Sequence, residues 1–244
     1  MPGIWEIEQA NQVLVGILHT DVVTMHWAFG LRNLIIPGRE DLRMWEPFLP
    51  VTGMPYDHAR NTIVAAALTR LYCKYVFFLD SDVVAPKDTI LRLMAHNLPI
   101  CSGLYFRRSP PHAVPVMIKN GGWYVNYPRG QMFDVELVGA GCLLVKTELF
   151  QKLPPMPPHT HIKDEKTGQV KVVSSRGKPW FDWRVDQSGL VPPGRNLSED
   201  FAWNLHCREN GYKIVVDSSI LCKHVGYAEA GDGTFNPAEV RVSV

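Results

Sequence analysis

The apolar run Tyr75-Val76-Phe77-Phe78-Leu79 ends directly in Asp80-Ser81-Asp82. It reads as a buried strand with two carboxylates at its C-terminal end, where open α/β sheets hold their ligands. A single residue between the two acids lets both converge on one hard divalent cation, and on the phosphates or ribose that share it. That chemistry suits Mg²⁺ or Mn²⁺. The same three residue types also serve as a turn that caps the next helix.

The flanking pattern places this strand in a fold. Val13 to Leu18 is a short apolar run before His19-Thr20-Asp21, a first strand ending in a polar loop on the ligand side. From Ala59 to Lys74, Ile63, Val64, Ala67, Leu68, Leu71 and Tyr72 recur at helical spacing, so a helix feeds the strand at Tyr75. Pro86 suits the first turn of a helix with Ile90, Leu91, Leu93 and Met94 on its apolar face, stopped by Leu98-Pro99, and a strand from Ile100 to Phe106 follows. This alternation argues for a mainly parallel sheet flanked by helices through about residue 106.

The second half reads as mixed and partly antiparallel. Val114 to Ile118 and Trp123 to Tyr127 flank the hairpin signal Asn120-Gly121-Gly122. Phe133 to Val138 then leads into Gly139-Ala140-Gly141 and the strand Cys142 to Val145. Residues 154–196 form a long Pro-rich loop carrying Trp180, Phe181 and Trp183, expected to be mobile and functional. Ser198 caps a helix that begins Glu199-Asp200-Phe201 and closes at Asn210-Gly211, before the strand Lys213 to Asp217.

With 244 residues, 46% of them hydrophobic, the chain can bury one sizeable core, and a net charge of +1 supplies no global basic field for nucleic acid. Five cysteines stand singly with no C-x-x-C pair, so reduced core residues are expected. His159 and His161 are read as solvated. The N-terminal stretch has no basic segment followed by an apolar core, and no run approaches the roughly 18 apolar residues of a membrane span. A cytoplasmic protein is expected, in the host cytoplasm if the chain is viral.

Taken in order, the acidic triplet, Ser198-Glu199-Asp200-Phe201 and His224-Val225-Gly226 resemble the glycosyltransferases of the GT-A fold. The likeness is to the family 2-like enzymes and their phage-encoded relatives, over roughly residues 10–227. It implies a single GT-A domain over 1–244, Rossmann-like, with a central mainly parallel mixed sheet flanked by helices. Residues 10–106 would be the nucleotide-binding half, 107–227 the acceptor half with its loop at 154–196, and 228–244 a tail.

The resemblance also implies roles. Asp82 and His224 would ligate Mn²⁺ or Mg²⁺, with Ser81 between the acids and Asp80 beside the metal, the ribose or the sugar. Asp200 would be the general base of an inverting reaction, with Glu199 beside it, since a carboxylate opening a helix is placed to take a hydroxyl proton. Gly139, Ala140 and Gly141 would let backbone approach the donor sugar or acceptor, although a bulged edge strand uses the same residues. Arg60 with Asn61 would lie near the nucleotide, engaging a phosphate or holding an Asp of the triplet, and His19, Thr20 and Asp21 would contact base and ribose.

The donor implied is a nucleoside-diphosphate sugar, a UDP-sugar favoured, and the acceptor a hydroxyl on a glycan, a protein or a modified DNA base. Arg107-Arg108, Lys171, Arg176, Lys178 and Arg184, interleaved with Trp180 and Trp183, read either as a basic, aromatic acceptor surface or as an ordinary charged loop. No Gln-x-x-Arg-Trp motif follows Asp200, which argues against processive polysaccharide synthesis. Two other readings stay open. A nucleotidyltransferase shares the sheet and the carboxylates, but Gly16-Ile17-Leu18-His19 supplies no Gly-rich phosphate loop. A non-catalytic nucleotide-sugar-binding module would work without Asp200.

Overall fold

The computed structural model describes residues 13–18, 22–37, 48–69, 73–107, 114–157, 162–163, 170–171, 179–185 and 196–225. His19, Thr20, Asp21, Arg108, His159, His161, Arg176, Lys178 and the tail 228–244 lie outside the described residues.

In chain order the elements of the first half are β1 (Val13–Leu18), α1 (Met25–Asn33), β2 (Phe48–Val51), α2 (Tyr56–Thr69), β3 (Tyr75–Asp80), β4 (Val83–Val84), α3 (Thr89–Ala95) and β5 (Ile100–Leu104). The hairpin β6 (Met117–Lys119) and β7 (Gly122–Trp123) follows, then β8 (Met132–Val135), β9 (Leu137–Val138), β10 (Cys142–Lys146) and α4 (Thr147–Lys152). The last third holds β11 (Ile162–Lys163), β12 (Val170–Lys171), β13 (Arg184–Val185), β14 (Asn196–Leu197), α5 (Glu199–Glu209), β15 (Ile214–Leu221) and β16 (Lys223–His224).

A seven-stranded sheet in the order β2-β1-β3-β10-β5-β15-β8 forms the centre. β2, β1 and β3 are parallel, as are β5 and β15, while β10 runs antiparallel between β3 and β5 and β8 runs antiparallel at the edge. The α/β sheet expected from the alternation is therefore what forms, with its reversed strands in the second half. Leu14 and Leu18 of β1 point to one face, packed with Ile63 and Val64 of α2, Phe150 of α4 and Trp203 of α5. Val13, Val15 and Ile17 point to the other, with Trp27 of α1 and Ile90 and Leu93 of α3. Burial on both faces explains why β1 and β3 are apolar at consecutive positions.

Several expected boundaries move. α2 begins at Tyr56, so Arg60 lies inside the helix and is buried. Pro86 sits in the turn before α3, its carbonyl accepting from Thr89 N. The strand expected from Phe133 to Val138 is broken at Glu136, and its pieces join different sheets: β8 pairs with β15 and β9 with β6. The end of α5 is as expected. Gly211 takes φ +85°, Gly211 N donates to Arg208 O and Tyr212 N to Cys207 O, a Schellman closure.

The largest difference concerns the long loop. Phe181 is fully buried and stacks on Trp203 at 5.1 Å, and Trp180 donates its indole N–H to Phe150 O at 2.8 Å. Arg184 makes a bidentate pair with Glu209. Phe181 is core and Trp180 packs half-buried against it, and burying one such ring stabilises by roughly 1.5–3 kcal/mol. Asn61 fixes the segment, its side chain accepting from Trp180 N and Phe181 N and donating to Phe181 O. Among the described residues no helix is long and apolar enough to cross a membrane.

Candidate active site

Asp80 closes β3 opposite Leu18 of β1, and the chain turns at once, Ser81 N donating to Leu18 O at 3.1 Å. The turn places β4 antiparallel to β16 with Val83 opposite His224, and Val225 N donates to Asp82 O at 2.7 Å. Two segments far apart in the chain are thus stitched together by backbone. The result is an Asp82–His224 pair, Oδ2 to Nε2 at 3.2 Å.

The other ring nitrogen of His224 faces Phe106 O at 2.6 Å, so Nδ1 carries the donated proton and Nε2 is turned toward the carboxylate. Burial alone would lower the His224 pKa, but the Asp82 carboxylate outweighs it and holds the imidazole above its ordinary value. Tyr105 lies edge-on to the His224 ring at 5.7 Å, and its hydroxyl accepts from Gly141 N at 3.1 Å. A Cβ on Gly139 would fall 1.9 Å from that hydroxyl and one on Gly141 2.9 Å from the ring. The glycines make room for Tyr105, a packing reason that the bare Gly-Ala-Gly pattern does not reveal.

Behind this floor sits Arg60, only 3% exposed. Its guanidinium donates to Glu199 Oε1 at 3.0 Å, Asp80 Oδ1 at 3.3 Å and Ala140 O at 3.4 Å. Of the two expected roles for Arg60, holding an Asp of the triplet is the one the geometry displays. Burial would depress the Arg60 pKa, yet the carboxylates of Asp80, Glu199 and Asp200 raise it. Burial, then the charge of Asp200, pushes Glu199 up to about 7 against the pull of Arg60. Asp80 is also raised, by burial first and by Asp82 and Asp200, with Arg60 opposing.

Glu199 and Asp200 open α5 and part there. Glu199 turns inward to Arg60, while Asp200 lines a cleft of about 400 Å³ together with Asp80, Asp82 and His224. Asp200 Oδ2 accepts from Ala140 N at 3.1 Å and Oδ1 from Phe201 N at 2.8 Å. Ser198 stands at the N-cap of α5 as expected, but it spends its hydroxyl on Asp200 Oδ1 and makes no side-chain cap bond to the helix. The cleft therefore brings together Asp80 at the end of β3, Asp82 in the turn after it, Asp200 of α5 and His224 of β16, with Arg60, Glu199, Gly139, Ala140 and Gly141 immediately behind.

Sequence reasoning named Arg107 of the remaining wall, among the basic residues of an acceptor surface or a charged loop, and missed the rest. Arg107, Val116, Trp123 and Phe201 also line the cleft, with the Arg107 guanidinium 5.4 Å from the Trp123 ring centre and Trp123 6.2 Å from Phe201. The Asn120-Gly121-Gly122 turn announced the hairpin carrying Trp123. Nothing local announced that the hairpin leans against α5, a contact set by the pairing of β6 with β9.

Two side chains, Asp82 and His224, face each other at a distance suited to sharing a cation, one hard oxygen donor and one imidazole. Among the described residues no group of three His, Cys, Asp or Glu is arranged to hold a metal ion. The donor set fits an ion that takes its other ligands from a bound diphosphate and water, as Mg²⁺ and Mn²⁺ do.

No protein-family model and no curated protein sequence matches the chain. Among solved structures it is similar to A197 from STIV, with a TM-score of 0.56, 13% identity, and coverage of 91% of this chain and 90% of that one. A UDP-glucose pyrophosphorylase complexed with UDP-glucose aligns over 87% of this chain and 74% of its own at 9% identity, with a TM-score of 0.36. At 13% identity the first likeness speaks to the fold alone, and the second is too remote to carry an argument. What the chain shares with A197 is the course of its α/β backbone.

Proposed function

We propose that the chain transfers a sugar from a nucleoside-diphosphate sugar to an acceptor hydroxyl, in a reaction that depends on a divalent metal. One observation carries the reading: the Asp82–His224 pair and the Asp200 carboxylate line the same cleft although they come from opposite halves of the chain. Asp82 and His224, with Asp80 beside them, would hold Mn²⁺ or Mg²⁺, which when bound would neutralise charge on the departing diphosphate.

The chain's own residues do the rest. Asp200 accepts the proton of the acceptor hydroxyl while Ala140 N–H and Phe201 N–H fix its orientation. Arg60, tied to Asp80 and to Ala140 O, holds the floor and the backbone behind Asp200 in one register. Phe106 O orients the imidazole of His224.

A panel of nucleotide sugars scored for nucleoside diphosphate release, with Mn²⁺ and then with EDTA, tests the reading. Release should be abolished by EDTA and restored by Mn²⁺, and Asp82→Ala should lose metal-dependent nucleotide binding. Full activity in chelator sinks the proposal. Pyrophosphate release from a nucleoside triphosphate and a sugar phosphate would assign nucleotidyl transfer instead.

A further inference from the structure

The cleft has two unlike ends. One holds the carboxylates and the imidazole. The other is a wall of Val116, Trp123 and Phe201 with a single guanidinium, that of Arg107. Trp123 is 43% exposed although it is one of the largest side chains in the molecule, while Phe201 beneath it is 8% exposed. Among the described residues no carboxylate pairs with Arg107, whose guanidinium rests over the Trp123 ring. A large ring left open in a concave site, beside a cation that no described carboxylate pairs, is a recognition surface rather than core.

We propose that this wall binds the acceptor, and that the acceptor is a saccharide whose ring lies against Trp123 while its oxygens accept from Arg107. The inference rests on the glycosyl-transfer reading of the cleft. Phe201 follows Asp200 on the first turn of α5 and touches Trp123, so a hydroxyl delivered to Asp200 has the rest of its molecule against this wall. The indole face carries the negative lobe of its quadrupole, which attracts the weakly positive C–H groups on the apolar side of a pyranose. Arg107 presents a planar fork of N–H donors suited to adjacent hydroxyls or to the carboxylate of a uronic acid.

Charge argues against a nucleic-acid acceptor. Among the described residues Asp80, Asp82 and Asp200 line the cleft against one arginine, and Arg184, counted in sequence among the basic acceptor residues, is spent on Glu209. A polyanionic backbone needs a track of lysines and arginines to replace its counterions.

The test uses the full chain and named probes: methyl β-glucoside, methyl α-mannoside, methyl β-glucuronide and a single-stranded oligonucleotide containing 5-hydroxymethylcytosine. Binding is read by saturation-transfer NMR and calorimetry. At least one saccharide should bind, Trp123→Ala should weaken it about tenfold, and Trp123→Phe should recover part of the loss. Arg107→Ala should weaken the glucuronide more than the neutral sugars. The affinity for UDP or GDP with Mn²⁺ should stay within about twofold in each variant.

Tenfold loss of nucleotide affinity in Trp123→Ala would assign the wall to the donor and overturn the inference. Binding of the oligonucleotide alone, or of no probe, would overturn it as well. Failure of the wild-type chain to bind either nucleotide with Mn²⁺ would instead remove the glycosyl-transfer reading, leaving the saccharide result to stand or fall by itself.

Discussion

Glu199 and Asp200 are neighbours in sequence and opposites in setting. Glu199 is 4% exposed and locked on Arg60, on the dry side of the site behind Asp80 and with Ala140. Asp200 faces the open side with Asp82, His224 and Trp123. The dry side is a crosslink: one guanidinium joins β3, the start of α5 and the backbone before β10. The wet side carries the carboxylates and the imidazole that line the cleft. Rigidity and chemistry are thus divided between two halves of the same acidic cluster, and a one-residue shift along α5 exchanges them.

The sharpest way to break this division is to neutralise each acid in turn. Asp200→Asn should lower turnover by roughly 10² to 10⁴ while Mn²⁺-dependent nucleotide binding persists, because only proton removal is lost. Glu199→Gln should reduce turnover less and lower the melting temperature more. If steady-state kinetics reverse that order, Glu199 is the base and the inward carboxylate is the chemical one.

A second experiment addresses the crosslink itself. Arg60→Met leaves Asp80 and Glu199 without their shared cation, and breaking a buried pair from one side costs about 3–5 kcal/mol. For a chain of this length that is a fall in Tm on the order of 10 °C. The double variant Arg60→Met/Glu199→Leu should regain part of it, since removing both charges spares the desolvated, unpaired carboxylate. A double variant no better than the single one would mean that Arg60 acts through Asp80 and Ala140 alone.

The same division decides what was legible in the sequence. β1 and β3 could be read because burial on both faces writes itself into consecutive apolar residues, and Asp80-Ser81-Asp82 could be read because it follows such a run. Asp82, Asp200 and His224, which the family likeness named together, line one cleft. Arg60 was named, but its burial was not, because a helix boundary shifted by three residues turns an exposed first-turn arginine into an interior one. The packing of Trp180 and Phe181 could not be read because it is set by Asn61 and by Trp203, partners far off in sequence. Trp123 was missed for the same reason. A side chain's exposure at a hairpin depends on what the hairpin leans on, and that is tertiary.

The smallest expected effect extends the comparison to a carboxylate remote from the Arg60 crosslink. Asp217 of β15 is also buried, yet its partners all favour the ionised form: His96 Nε2 at 2.9 Å, Ser219 N at 2.9 Å and the Ser219 hydroxyl. Burial pushes its pKa up, but those hydrogen bonds and His96 prevail and hold it below the ordinary value. A depressed folded pKa means that the unfolded chain binds the proton more readily. The stability Asp217 contributes is therefore present above the ordinary carboxylate value of about 4 and is lost as pH falls through the folded value. Glu199, raised to about 7, has the opposite sign: its contribution is complete below about 4 and is lost as pH rises toward neutrality. In thermal melts across pH, Asp217→Asn should cost about 1–3 kcal/mol near neutrality and flatten the acid limb, while Glu199→Gln should flatten the limb between about pH 4 and 7. Identical acid limbs in wild type and Asp217→Asn would show that the two buried carboxylates are not held in opposite senses, and that crowding around Arg60 is not what sets the active-site acids apart.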